Sequence, residues 1–72
     1  MDLYRLRIGF GDESNGEKGR LRTVNAGFPA DGDEEARLKA EDIKKRKFRL
    51  VLKKRPTATV ARTELWKQIS FP

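Results

Sequence analysis

Neither cysteine nor histidine occurs anywhere in the 72 residues, and this double absence constrains the fold more than any other feature. A chain this short buries only about 60% of the surface it exposes when unfolded, so its stability is marginal. Small domains commonly compensate with disulfides or a structural zinc ion. This sequence supplies the usual ligands for neither, so its core comes from packing alone. The residues available for that core are Leu3, Tyr4, Leu6, Ile8, Phe10, Leu21, Val24, Phe28, Leu38, Ile43, Phe48, Leu50, Val51, Leu52, Val60, Leu65, Trp66, Ile69 and Phe71. The expectation is one small domain over 1–72, with room for a flexible loop over 11–19 and a loosely held segment over 56–72.

Tyr4, Leu6, Ile8 and Phe10 alternate with Arg5, Arg7 and Gly9. That period of two predicts a strand with an apolar inner face and a basic outer face. Residues 11–19 hold three glycines and the Asn15-Gly16 pair, which predicts the loop of a hairpin. The return strand is placed at 20–28, where the apolar parity switches near Thr23-Val24 and suggests a bulge or a strand covered on both faces. Pro29-Ala30-Asp31-Gly32 breaks the chain, and 33–46 then reads as a helix. Asp31 or Asp33 is the expected cap, with Asp33, Glu34 and Glu35 at the positive end of the helix dipole and Lys44, Lys45 and Arg46 at the negative end. The acid-first pairs Asp33/Arg37, Glu35/Lys39 and Glu41/Lys45 add i,i+4 support.

Beyond the helix, Phe48, Leu50 and Leu52 alternate with Arg49, Val51 and Lys53, predicting a third strand over 47–54 that Pro56 ends. Residues 57–61 favour a strand by β-branching or lead into a helix capped by Thr59 or Thr63. Leu65, Trp66 and Ile69 share a helical face, which predicts a short or ragged C-terminal helix. The fold class expected is α+β: a small antiparallel sheet of about three strands with one main helix.

The distribution of charge carries the functional reading. Residues 1–42 hold seven basic and ten acidic side chains, a balance of −3, whereas residues 43–72 hold ten basic and one acidic, a balance of +9. The cations of the second half are Lys44, Lys45, Arg46, Lys47, Arg49, Lys53, Lys54, Arg55, Arg62 and Lys67. Mobile ammonium and forked guanidinium groups of this density suit a polyanion or an acidic protein surface, although the same charges also keep a small protein in solution. Arg5 and Arg7, with Arg20 and Arg22, would extend the stripe if the strands share a sheet. Phe48 and Trp66 are assigned to the core rather than to base stacking.

Catalysis is not expected. The usual proton shuttle and the usual thiol nucleophile are missing, and neither Ser14 nor Ser70 has a base beside it in the sequence. The pairs Asp12/Glu13 and Glu34/Glu35 read as solvated loop and helix-start acids. The glycines at 9, 11, 16 and 19 match no phosphate-binding loop, and Asp12, Glu13 and Glu17 would repel phosphate. The same acids do not match a calcium-binding loop, so no cofactor or metal is expected. Lys44-Lys45-Arg46-Lys47 resembles a short nuclear-import signal, but a helix C-terminus explains it without any import receptor. A ribbon-helix-helix DNA binder would begin with its ribbon, unlike the order here. No apolar run reaches signal-peptide or membrane-span length, and the absence of cysteine fits a reducing compartment. The expected location is therefore the cytoplasm.

In size, in its lack of cysteine and histidine, and in its acidic front and basic back, the chain is similar to small phage-encoded regulators that bind host RNA polymerase or other nucleic-acid machinery. That resemblance implies a stoichiometric inhibitor or antiterminator that docks on polymerase subunits and alters promoter engagement; it assigns no residue a role. The expected function is thus a non-enzymatic regulator engaging a transcription complex through the basic C-terminal half. Direct binding of DNA or RNA through phosphate contacts, and a structural place in a nucleoprotein assembly, are the alternatives.

Overall fold

The computed structural model describes residues 1–12 and 19–70, Arg20 through its backbone only. Four elements follow one another: β1 (Asp2–Asp12), β2 (Gly19–Ala30), α1 (Asp33–Lys54) and β3 (Ala58–Ser70). The strands form one antiparallel sheet in the order β2-β1-β3. The first strand of the chain is thus the central one, and α1 carries the chain across it from one edge to the other. The α+β class expected from the sequence holds.

The alternation in β1 is realised. Tyr4, Leu6, Ile8 and Phe10 are buried, with Phe10, Leu6 and Ile8 shut off from solvent, while Arg5 and Arg7 are exposed. The buried row meets α1 through Ala36 and Ala40, with Ile43, Phe48 and Val51 packed against its margin. Two offset ring pairs frame this core: Tyr4 with Phe28, and Phe10 with Phe48, each with centroids 6.0 Å apart. The small alanines let the helix N-terminal half approach the sheet closely. Burial of each large β1 side chain contributes about 1.5–3 kcal/mol.

The expected strand over 47–54 is instead the second half of α1. No glycine or proline interrupts the chain between Gly32 and Pro56, so a helix started at Asp33 has nothing to stop it. Extending an existing helix adds one hydrogen bond per residue fixed, whereas a new strand needs a turn first. The alternation of Leu50 and Leu52 with charged residues is incidental: Leu50 is exposed and Leu52 half-buried. The helix closes where Arg55 N–H donates to Val51 O at 2.9 Å, and Ala58 N–H donates to Arg55 O at 3.0 Å across Pro56-Thr57.

The expected C-terminal helix is likewise a strand. β3 pairs with β1 from Asp2↔Ser70 to Asp12↔Ala58, and the register slips at Leu3/Tyr4 and again at Gly9/Phe10. Gln68 and Ala61 are the residues left over at those slips. Two bulges in thirteen residues break the period of two, which is why Leu65, Trp66 and Ile69 imitate a helical spacing. None of the three is buried, and neither is Leu38, so the expected core was too generous at these positions. The bulge in the first hairpin falls at Phe10/Gly11, leaving Leu21 unpaired, slightly before the expected Thr23-Val24.

Gly32, not Asp31 or Asp33, occupies the helix N-cap, and no side chain caps the helix. Its φ of 134° lies where side-chain-bearing residues are strained. The expected caps are used otherwise. Asp31 N–H donates to Glu35 Oε2 at 2.7 Å, and Asp33 Oδ1 accepts from Tyr4 Oη at 2.6 Å. The strands run as far as Asp12 and from Gly19, which shortens the expected 11–19 loop. Its remaining residues, 13–18, and the expected core residue Phe71, lie outside the described residues.

Candidate binding surface

The ten cations of the basic half do not form one stripe. Helix formation over 47–54 removes Lys47, Arg49, Lys53 and Lys54 from the sheet, whereas Arg62 and Lys67 lie on β3. Lys44 pairs with Glu41 at 3.0 Å and Arg46 with Asp42, so local i,i+3 and i,i+4 acids occupy both. Lys67 lies beside Asp2 at 3.4 Å and over the Tyr4 ring at 5.9 Å. Arg62 stands on the opposite face of the sheet, 3.7 Å from Glu64.

The cations that come together are Lys47, Lys53, Lys54 and Arg55. With Arg22 of β2 they rim a groove of about 500 Å³ whose apolar lining is Leu21, Val24, Leu50 and Val51. No acidic residue among the described ones lines it. The groove exists because α1 continues beyond Ala40, its last fully buried residue, so that its final turns overhang the β2 edge. The negative end of the helix dipole partly offsets the repulsion among Lys47, Lys53 and Lys54. Arg55 is further anchored by Asp12, 3.9 Å away. Asp12 is buried and accepts a hydrogen bond from Thr57 Oγ1; it is therefore not the solvated loop acid expected, but a tie between the end of β1 and the α1–β3 turn. On the solvent side of the helix, Lys45, Arg49 and Lys53 recur at i,i+4 and are exposed, with no ion pair to a described residue.

Sequence reasoning missed the apolar half of this groove. The sequence assigns Leu21, Val24, Leu50 and Val51 to the core; Leu21, Val24 and Val51 do pack against its margin, Leu50 is exposed, and all four line the groove. The available signal was the unbroken run from Gly32 to Pro56.

A different site sits at the other end of α1. The Tyr4 hydroxyl donates to the Asp33 carboxylate, which, with burial, pushes the phenol up to about 12 from an ordinary value of 10.0. A raised folded pKa means the contribution to stability is whole below about pH 10 and is lost as pH climbs through 12. Tyr4 is the one tyrosine in the chain, so a tyrosinate absorbance titration reads it directly. Its midpoint should lie near 12 in the native chain and fall towards 10 in Asp33→Asn. Asp2 and Glu35 shift the other way: hydrogen bonds from Ser70 and from the Asp31 backbone, respectively, lower their pKa values. Their stabilisation is present above the ordinary carboxylate range and fades on acidification.

The described residues hold no cluster of three or more metal-ligating side chains and no helix long and apolar enough to cross a membrane. Comparison with known proteins finds no matching family model, no matching curated protein and no matching solved structure. The functional reading accordingly rests on the surface itself.

Proposed function

We propose that this chain is a non-enzymatic regulatory binding protein that engages a transcription complex through its basic C-terminal half, inhibiting or modulating transcription. The observation that carries the reading is the groove: four aliphatic side chains inside a rim of five cations. Apolar contact supplies affinity, while the rim selects an acidic partner and speeds encounter. The matching occupant is an acidic, amphipathic segment of a protein subunit. Similarity in size and charge layout to phage regulators of host RNA polymerase makes that enzyme the first partner to test.

The test is binding of the purified chain to purified, nuclease-treated bacterial RNA polymerase, paired with a run-off transcription assay. Stoichiometric binding that weakens as salt rises, together with altered transcript yield, is the expected result. Absence of binding at low salt excludes polymerase as the partner. Direct binding of DNA or RNA is the second reading, favoured by the exposed Lys45/Arg49/Lys53 row, which has no ion pair to a described residue. It predicts a mobility shift of double-stranded DNA or RNA that disappears when those three residues are changed to glutamine.

A further inference from the structure

The sheet face turned away from α1 carries a second surface that the groove does not use. Cross-strand register places Arg5 beside Trp66, Arg7 beside Glu64 and Gly9 beside Arg62. The Arg7 guanidinium lies 5.4 Å from the Trp66 ring centroid. Trp66 is 38% exposed, so the indole expected in the core is displayed on an uncovered face. Arg5 Nε donates to Gln68 Oε1 at 2.9 Å and Arg7 Nε to Asn25 Oδ1 at 3.3 Å. Each guanidinium is therefore held through Nε, while its two terminal nitrogens make no hydrogen bond to a described residue. Glu64 is the one carboxylate among the described residues of this face, and Arg62 offsets it.

We propose that this open face binds single-stranded nucleic acid, with a base stacked on Trp66 and phosphates held by Arg5, Arg7 and Arg62. Three features select this occupant. Guanidinium groups meet phosphate with two parallel donors and also stack on bases. An exposed indole fixed by a neighbouring arginine is a platform for an unpaired base and offers nothing to a paired one. The floor is low: Gly9 and Gly27 sit on this side, and a side chain at Gly9 would press on Arg62 Cβ at 3.4 Å. From Arg5 to Gly9 the strand advances about 14 Å, and three strands are about 10 Å across. Those dimensions admit one strand and a few nucleotides, not a duplex. This surface is independent of the groove, and its success or failure leaves the polymerase reading untouched.

Trp66 is the chain's sole tryptophan, so its fluorescence reports occupancy at the site itself. The probe is an oligothymidylate of about ten nucleotides, titrated into the intact chain at several salt concentrations. Expected are quenching of Trp66 and an affinity that falls with a log–log salt slope of about −2 for three phosphate contacts. In parallel, a labelled oligonucleotide followed by anisotropy compares variants. Trp66→Ala should weaken binding roughly fivefold or more, with Trp66→Phe restoring part of it. The triple change Arg5→Gln, Arg7→Gln, Arg62→Gln should abolish it, and circular dichroism should confirm that the sheet is retained. Changing Arg37 of α1 to glutamine should leave Trp66 quenching within about twofold, since this exposed cation lies on the helix side of the sheet. No quenching at low salt, or loss confined to the helix variant, overturns the proposal. So does concentration-dependent self-association that buries Trp66, which would make the face an interface between two copies.

Discussion

Leu6→Ala is expected to remove a large share of the protein's folding free energy. Leu6 is wholly buried, lies in the central strand, and pairs with Ala26 on one side and Leu65 on the other beneath α1. Neighbours on both edges and above hold the site open, so the cavity left by truncation cannot collapse fully. Large-to-small changes at such positions cost about 2.7–5 kcal/mol. A chain of this size has roughly 4–11 kcal/mol in total, without a disulfide or metal in reserve. Urea unfolding followed by circular dichroism should show the midpoint move far towards zero. The companion change Leu38→Ala, at an exposed helix position, should shift stability by less than about 0.5 kcal/mol. Equal costs at the two sites would contradict the burial that organises the whole fold.

The second large effect concerns binding rather than folding. Leu50→Asp is expected to lower affinity for the groove's partner by about 2–4 kcal/mol, roughly 30- to 1000-fold. Leu50 is 57% exposed, so little core energy is lost. On a helix the new carboxylate lies three residues from Lys47 and Lys53 and four from Lys54, where it gains favourable local pairs. Thermal stability should therefore change little. The same carboxylate replaces an apolar anchor, neutralises part of the rim and repels an acidic ligand. The measurement is titration calorimetry with purified polymerase, or with the segment of it that cross-links to the groove. A variant that binds as tightly as the parent chain would remove the groove from the mechanism.

The sequence made the first half of the chain legible because its periods are clean. Four apolar residues at strict alternation in β1 have one reading, and the Pro29–Gly32 break with acids behind it places a helix start to within a residue. The second half misled for identifiable reasons. Leu50 and Leu52 produced a strand-like alternation inside a helix, and only the missing breaker before Pro56 contradicted it. In β3 the two bulges disguised a strand as a helix. A residue skipped at Gln68 or Ala61 is decided by the partner strand, which local sequence does not contain. The same displacement governs the candidate site. The basic residues were all identifiable, but their grouping depends on α1 lying over β2, and the exposure of Trp66 depends on β3 being a strand.

The order of the strands bears on how the molecule is made. β1 emerges from the ribosome before both of its partners, yet one of its edges stays open until β3 has followed it out. The contacts that close the sheet, such as Asp2 with Ser70, join opposite ends of the described chain. Loops this long relative to the whole are slow to shut. A nascent chain halted after the helix would already display its cations while β1 still presented one unpaired edge, the kind of edge that invites pairing with another chain.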